Sequence, residues 1–148
     1  MRHLFVLALA LAACSREASA PTASTSPANP APATTARAAV ASGDVKIVAP
    51  AELAKLRAST PNLAIIDANP RAVYDKGHVP GAKLLESDDV KTVLPADHAA
   101  PVVFYCYNDA CGASHAAAKD AIAAGWTNVS RMKAGIAGWK AAGLPVEM

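Results

Sequence analysis

The chain has 148 residues, of which 53% are hydrophobic, 5% aromatic and 18% charged, and its formal net charge is +2. This length predicts one domain together with a targeting segment. Lys and Arg balance Asp and Glu from residue 44 onward, so the surplus charge lies in the first 43 residues. A neutral domain lacks the positive surface that binds nucleic acid or an anionic membrane, and we therefore exclude those functions.

The first 14 residues have the pattern of a secretory signal peptide that ends at a cysteine. Arg2 precedes an apolar run over residues 4–13, which is too short for a permanent membrane span of about 20 residues. The end of the run, LAAC at residues 11–14, resembles a bacterial lipobox, in which the peptide is cut before the cysteine and the cysteine is acylated. We therefore predict a lipoprotein signal peptide over residues 1–13 and lipidation of Cys14. The alternative is an ordinary signal peptide with an incidental Cys14.

Residues 15–43 consist mostly of Ala, Pro, Ser and Thr and contain few large side chains. Such a segment cannot bury enough surface to offset the entropy lost on ordering, so we expect a disordered tether over residues 14–43. A lipid on Cys14 would anchor the protein to the bacterial cell envelope, facing the periplasm, with no other contact to the membrane. Ser15 after the cysteine favours the outer membrane over the inner.

Short apolar segments alternate with helical segments from residue 44 to residue 148. The segments predicted as strands cover residues 45–48, 63–67, 82–85, 102–106 and 128–132, and they are mostly apolar on both faces, as buried parallel strands are. Three helices are predicted: one that begins at Pro50, one between Gly112 and Gly125, and one around residues 136–142. This alternation predicts an α/β domain with a parallel sheet covered by helices on both faces.

The predicted strand over residues 102–106 ends in Cys106 and is followed by a short polar loop and a helix. In open α/β sheets ligands bind beyond the carboxyl ends of the strands. A strand–loop–helix connection directs backbone N–H groups and a helix N-terminus into one concavity, where they stabilise a thiolate or a persulfide anion. We therefore predict that Cys106 is a nucleophile. The alternative is a buried structural cysteine.

A second segment, IIDANPRAVYDKGHVPGA at residues 65–82, resembles the rhodanese signature: a strand ending in Asp, a short helix ending in an aromatic residue, and then Gly-His-Ile-Pro-Gly-Ala. Residues 129–145 resemble the closing strand and helix of that family. The resemblance covers about residues 44–147. It implies a single rhodanese-like domain over residues 44–148, with a five-stranded parallel sheet flanked by helices and one active cysteine after the fourth strand.

The resemblance also implies a sulfurtransferase. A small donor, thiosulfate or a persulfide, loads sulfane sulfur onto Cys106, and cyanide or a thiol, which could be a protein thiol, removes it. No cofactor and no metal are expected, and His78 is expected to be structural. The positions that the resemblance assigns to the substrate-binding loop are Tyr107, Asn108, Asp109, Ala110 and Gly112, and those assigned to supporting roles are Asp67 and Arg71. His115, predicted on the surface of the helix that follows the loop, is a further supporting residue that could tune the thiol.

Several positions depart from the family pattern. Many relatives carry Arg two positions after the strand-ending Asp, whereas this chain has Asn69 there, and Arg71 could substitute. Many loops also end with an Arg that binds an anionic donor, whereas this loop carries Asp109. This difference predicts a donor less anionic than thiosulfate, such as a low-molecular-weight persulfide. Gly112, six positions after Cys106, excludes the Cys-x5-Arg motif of cysteine phosphatases.

Cys111 adds a second thiol to the loop, in a Cys-x4-Cys arrangement that resembles a subgroup of rhodanese-like proteins. It could be a resolving thiol that releases sulfide and leaves a Cys106–Cys111 disulfide. A disulfide formed only because the compartment is oxidising is an equal alternative. A zinc site from both cysteines and His115 is a third, although a fourth ligand is lacking. The competing functions are a thiol–disulfide redox protein and a non-catalytic rhodanese-like binding module.

Overall fold

The computed structural model describes residues 45–148. The predicted signal peptide (residues 1–13), Cys14, the predicted tether and Asp44 lie outside the described residues. Within residues 45–148, none of the helices combines the length and the apolar character that crossing a bilayer requires.

Strands and helices alternate along the described chain, and every strand pairing is parallel. The sheet order is β1-β5-β4-β2-β3. The predicted α/β fold with a five-stranded parallel sheet is therefore confirmed. The elements are β1 (Lys46–Ile47), α1 (Pro50–Ser59), β2 (Ala64–Asp67), α2 (Arg71–Tyr74), β3 (Lys83–Leu84), a 3-10 helix (Val90–Thr92), β4 (Val102–Tyr105), α3 (Ala113–Ala123), β5 (Val129–Met132) and α4 (Gly135–Ala141).

Each predicted strand is present, but the two edge strands are shorter than predicted. β1 and β3 have two residues each, against four predicted for each. An edge strand has a neighbour on one side only, so apolar character at its ends does not extend its hydrogen-bonded ladder. Cys106 lies one residue beyond the end of β4 instead of inside the strand.

The side chains of the central strand β4 alternate between two buried clusters. Val102 and Phe104 face the cluster that contains α3, whose small buried alanines allow the helix to approach the sheet closely. Val103 and Tyr105 face the other cluster, which contains residues of α1 and α4, including the fully buried Trp139. Helices therefore cover both faces of the sheet, as predicted.

The parallel arrangement brings three chain segments to the same edge of the sheet. β4 lies between β2 and β5, with Tyr105 in register with Asp67 on one side and with Met132 on the other. The residues that follow these strands therefore surround Cys106. This edge is where a parallel sheet binds ligands.

Candidate active site

Cys106 follows the last residue of β4 and is 1% exposed. It forms a disulfide with Cys111, and the Cα atoms of the two residues are 6.3 Å apart. Asn108 shapes the loop between them, because its side chain accepts a hydrogen bond from the Ala110 backbone N–H (3.1 Å) and its carbonyl accepts one from the Cys111 N–H (3.2 Å). The two predicted reactive cysteines are therefore brought together by a short loop with its own hydrogen bonds.

The first turn of α4 holds the other side of the loop. The Ile136 N–H donates to the Cys106 carbonyl (2.8 Å), and the Ala137 N–H donates to the Tyr107 carbonyl (2.9 Å). Gly135 has φ of +63°, a left-handed conformation that glycine adopts without strain. This glycine lets the helix approach the backbone of Cys106 closely enough to form both bonds.

Two polar residues that the sequence reasoning did not select contact the cysteine pair. The Ser114 hydroxyl oxygen lies 3.3 Å from the Cys106 sulfur. Arg131, on β5, donates from Nε to the Ser114 hydroxyl (2.8 Å) and from Nη2 to the Cys111 carbonyl (2.7 Å). Ser114 is the second residue of α3, two positions after the loop, so its place in the sequence could have indicated it. No local pattern points to Arg131, which lies on a different strand.

The predicted loop residue Asp109 forms an ion pair with Lys133, whose Nζ lies 3.0 Å from the carboxylate. Lys133 follows β5 directly, so the turn into α4 balances the negative charge of the loop. Tyr107 is 53% exposed and faces a pocket with a volume of about 410 Å³. The other residues that line this pocket are Val73, Lys76, Ile136, Ala137 and Lys140.

Asp67 lies buried at the carboxyl end of β2, on the strand next to Cys106. Its Oδ1 accepts a hydrogen bond from the Asn69 N–H (2.8 Å), and its Oδ2 has no hydrogen-bond partner in the described part of the chain. Burial raises the pKa of Asp67, and the interactions with Tyr105 and Asn69 offset part of that rise. The side chain of Asp67 interacts with Asn69 and Tyr105, so within the described residues it borders the site without a hydrogen bond to either cysteine.

The other two predicted supporting residues, Arg71 and His115, are exposed. Arg71 is exposed and pairs with Glu86 and, at 3.7 Å, with Asp75. These ion pairs do not favour Arg71 as the substitute for the arginine that many relatives carry at the position of Asn69. His115 is exposed in the first turn of α3, where its N–H donates to the Gly112 carbonyl (3.0 Å).

The conformation of His78 agrees with the expected structural role. Its ring stacks on Tyr74 with centroids 3.7 Å apart, and its backbone pairs with Glu147 through two hydrogen bonds of 2.9 Å. Among residues 45–148, no three His, Cys, Asp or Glu side chains are grouped so that they could hold a metal ion.

The described residues thus form a parallel α/β domain with a pair of cysteines at the carboxyl end of its central strand, held in place by the first turn of α4. The family model described as the rhodanese-like domain matches residues 49–142. The chain therefore belongs to the rhodanese-like family, as its motifs predict.

Solved structures support this assignment. The BH2092 protein from Bacillus halodurans matches with a TM-score of 0.62 and 20% identity over 69% of this chain and 76% of its own, which shows the fold. The Alr3790 protein from Anabaena sp. matches with a TM-score of 0.59 and 26% identity over 68% of this chain and 79% of its own. A thiosulfate sulfurtransferase from Pseudomonas aeruginosa matches with a TM-score of 0.60 and 26% identity over 70% of this chain and 19% of its own, much longer, chain.

Proposed function

We propose that this protein is a sulfurtransferase or persulfide carrier in which Cys106 carries sulfane sulfur. One observation supports this most directly: the Cys106 sulfur lies beside a buried hydroxyl that is itself bonded to a guanidinium. Such an environment stabilises a sulfur anion. The similarity to a thiosulfate sulfurtransferase supports the same class of reaction.

In the loading step, the Cys106 thiolate attacks the outer sulfur of the donor. With thiosulfate, the new S–S bond forms on Cys106, the S–S bond of the donor breaks, and sulfite leaves with the electron pair. With a persulfide donor, the leaving group is the donor thiolate. In both cases Cys106 holds a persulfide, and an acceptor thiol or cyanide removes its outer sulfur.

Cys111 provides an intramolecular exit from the loaded state. Its thiolate can attack the inner sulfur of the Cys106 persulfide, which forms the Cys106–Cys111 disulfide and releases hydrosulfide. The two residues are already joined in the structure, so no rearrangement of the loop is needed to form this bond. An external dithiol then reduces the disulfide and returns both cysteines to thiols, completing the cycle.

The charge of the loop bears on the choice of donor. Asp109 alone would disfavour an anionic donor, which is why the sequence favours a persulfide over thiosulfate. Lys133 pairs with Asp109, and Arg131 bonds to the Cys111 carbonyl. These two cations reduce the repulsion that Asp109 would exert on an anionic donor. We therefore keep both donor classes, persulfides and thiosulfate, in the proposal.

A second candidate function is thiol–disulfide exchange, which the Cys106–Cys111 disulfide favours. The same two residues would then pass electrons to or from a partner thiol pair, and no sulfur would be loaded. For either function, the lipobox at residues 11–14 and the segment that follows it support a position on the periplasmic side of the envelope, anchored through Cys14 and held away from the membrane.

The test is the intact mass of the purified chain carrying Cys14→Ser, which leaves Cys106 and Cys111 as its two cysteines. The protein is reduced, exposed to thiosulfate or to a low-molecular-weight persulfide, and analysed without reductant. The expected result is a gain of about 32 Da in Cys111→Ser, in which the persulfide cannot pass on to the disulfide, and no such gain in Cys106→Ser.

Other outcomes count against the proposal. A loss of about 2 Da in the parent follows from the Cys111 exit as well as from disulfide exchange, so it overturns sulfur transfer only if Cys111→Ser also fails to gain about 32 Da with both donors. If the parent keeps its reduced mass and Cys111→Ser, which cannot form the disulfide, also gains no mass, Cys106 neither accepts sulfur nor exchanges disulfides. The remaining function is then a non-catalytic binding module.

A further inference from the structure

Arg131 is a buried cation whose partners are neutral. Its exposed fraction is 7%, and it bonds to the Ser114 hydroxyl and the Cys111 carbonyl. The ion pairs recorded among residues 45–148 do not include it. An arginine is always protonated, and a buried charge without a counter-ion is costly. An anion formed nearby would remove that cost.

The hydrogen-bond geometry shows which atom can become that anion. Because the Ser114 oxygen accepts from Arg131 Nε, its own O–H is free to donate to the Cys106 sulfur 3.3 Å away. The Cys111 carbonyl oxygen also lies 3.3 Å from this sulfur and would repel a negative charge there. Arg131 Nη2 bonds to that carbonyl and weakens the repulsion. Both bonds of the guanidinium therefore favour an anionic sulfur on Cys106.

We propose that Arg131 is a positioning residue and the cationic counterpart of the sulfur anion on Cys106, acting through the Ser114 hydroxyl and the Cys111 carbonyl. This inference rests on the sulfur-carrying function proposed above. Arg131, on β5, thus supplies the guanidinium that the loop sequence lacks. Arg131 stabilises the thiolate before loading and the terminal persulfide after it.

Other groups around the site also affect the charge on Cys106. They lie on every element that meets at this end of the sheet, and each variant below changes at most one of them in a background that already carries Cys111→Ser. The charged or titratable residues are Asp67 at the end of β2, Tyr105 on β4, Tyr107, Asp109 and Cys111 in the loop, His115 on α3, Arg131 on β5, Lys133 in the turn after β5, and Lys140 on α4. Arg131 is the one among them that contacts both Ser114 and Cys111.

The experiment measures the rate at which Cys106 is alkylated by iodoacetamide between pH 4 and pH 10. The background is the full chain carrying Cys14→Ser and Cys111→Ser, so that Cys106 is its one thiol. In Arg131→Gln the half-maximal rate is expected at a pH about one unit higher, because the thiolate loses its cation. Arg131→Lys keeps the charge and is expected to restore part of that shift. Circular dichroism and thermal unfolding show whether each variant folds.

Lys133→Gln is the matched control, since it removes an exposed cation that contacts the same loop. A solvent-screened charge is expected to shift the profile by less than about 0.3 pH units. Ser114→Ala is the second test variant and removes little volume. It is expected to shift the profile in the same direction as Arg131→Gln, and it replaces that variant if Arg131→Gln does not fold.

Two results overturn the inference. One is a profile of folded Arg131→Gln, or of Ser114→Ala in its place, that coincides with the parent profile. The other is an equal shift in Lys133→Gln, which would show an effect of net charge alone. The alkylation assay needs no sulfur donor, so it gives its answer even if the mass test shows that Cys106 does not load sulfur.

Discussion

Gly135 lies directly against the backbone of Cys106: a Cβ built on this glycine would stand 2.5 Å from the Cys106 carbonyl oxygen. That oxygen accepts the Ile136 N–H, so the glycine sets how closely α4 approaches the loop. A separation of 2.5 Å is shorter than any normal carbon–oxygen contact. A side chain at this position must therefore displace the loop that carries the cysteines.

Gly135→Ala is expected to lower the free energy of unfolding by at least about 1 kcal/mol, because alanine is strained at positive φ. Displacement of Cys106 is expected to slow sulfur loading by about tenfold or more. Gly143→Ala is the matched control: Gly143 has a similar φ of +69° but no atom within 4 Å of its Cβ position. Denaturant unfolding and mass-detected loading measure both effects. Equal loading rates in the two variants would contradict the role given to the Gly135 contact.

The Cys106–Cys111 disulfide is expected to stabilise the fold, because it restricts the unfolded chain. For a closed loop this short, the stabilisation is about 2 kcal/mol. Unfolding of the Cys14→Ser protein in urea, with and without reductant, measures the difference. Cys111→Ser serves as the control, and its unfolding is expected not to depend on reductant. Equal stability of the oxidised and reduced parent would contradict this prediction.

Asp67 is expected to make stability depend on pH. Burial raises its pKa in the folded protein above the ordinary 3.8, so the folded state binds more protons than the unfolded state between those two values. The contribution of this residue is thus greatest below pH 3.8 and is lost as the pH rises through the folded pKa. Asp67→Asn removes the effect, so its stability relative to the parent is expected to rise with pH.

Urea unfolding at intervals from pH 3.5 to pH 7 measures that difference. Asp120→Asn, which changes an exposed carboxylate on α3, is the control and is expected to show a smaller trend. A stability difference between Asp67→Asn and the parent that is constant across this range would contradict the effect of burial.

Arg71→Ala is expected to leave sulfur loading within about twofold of the parent, since Arg71 is exposed and pairs with Glu86 and Asp75. The rate of the mass gain with thiosulfate is the measurement. Glu86→Gln, which removes the partner and keeps the arginine, is the control for changes in the exposed pair alone. A loss of loading specific to Arg71→Ala would show that this side chain reaches the donor after all.

The sequence by itself determined the family, the parallel α/β architecture, the order of the strands along the chain and the position of Cys106. These features depend on local patterns: apolar runs of strand length, the Gly-His-Val-Pro-Gly-Ala segment, and a cysteine between a strand and a helix. The edge strands were predicted too long because apolar character does not show how many neighbours a strand has.

Only the tertiary structure decided which charges surround that cysteine. The parallel sheet places β5 beside β4, so Arg131 contacts Ser114 and Lys133 contacts Asp109. Arg71 follows the strand-ending Asp67 by only four residues, but its side chain pairs with Glu86. Such pairings depend on strand order, register and side-chain direction. These are set when distant segments pack together, and no local pattern in one sequence encodes them.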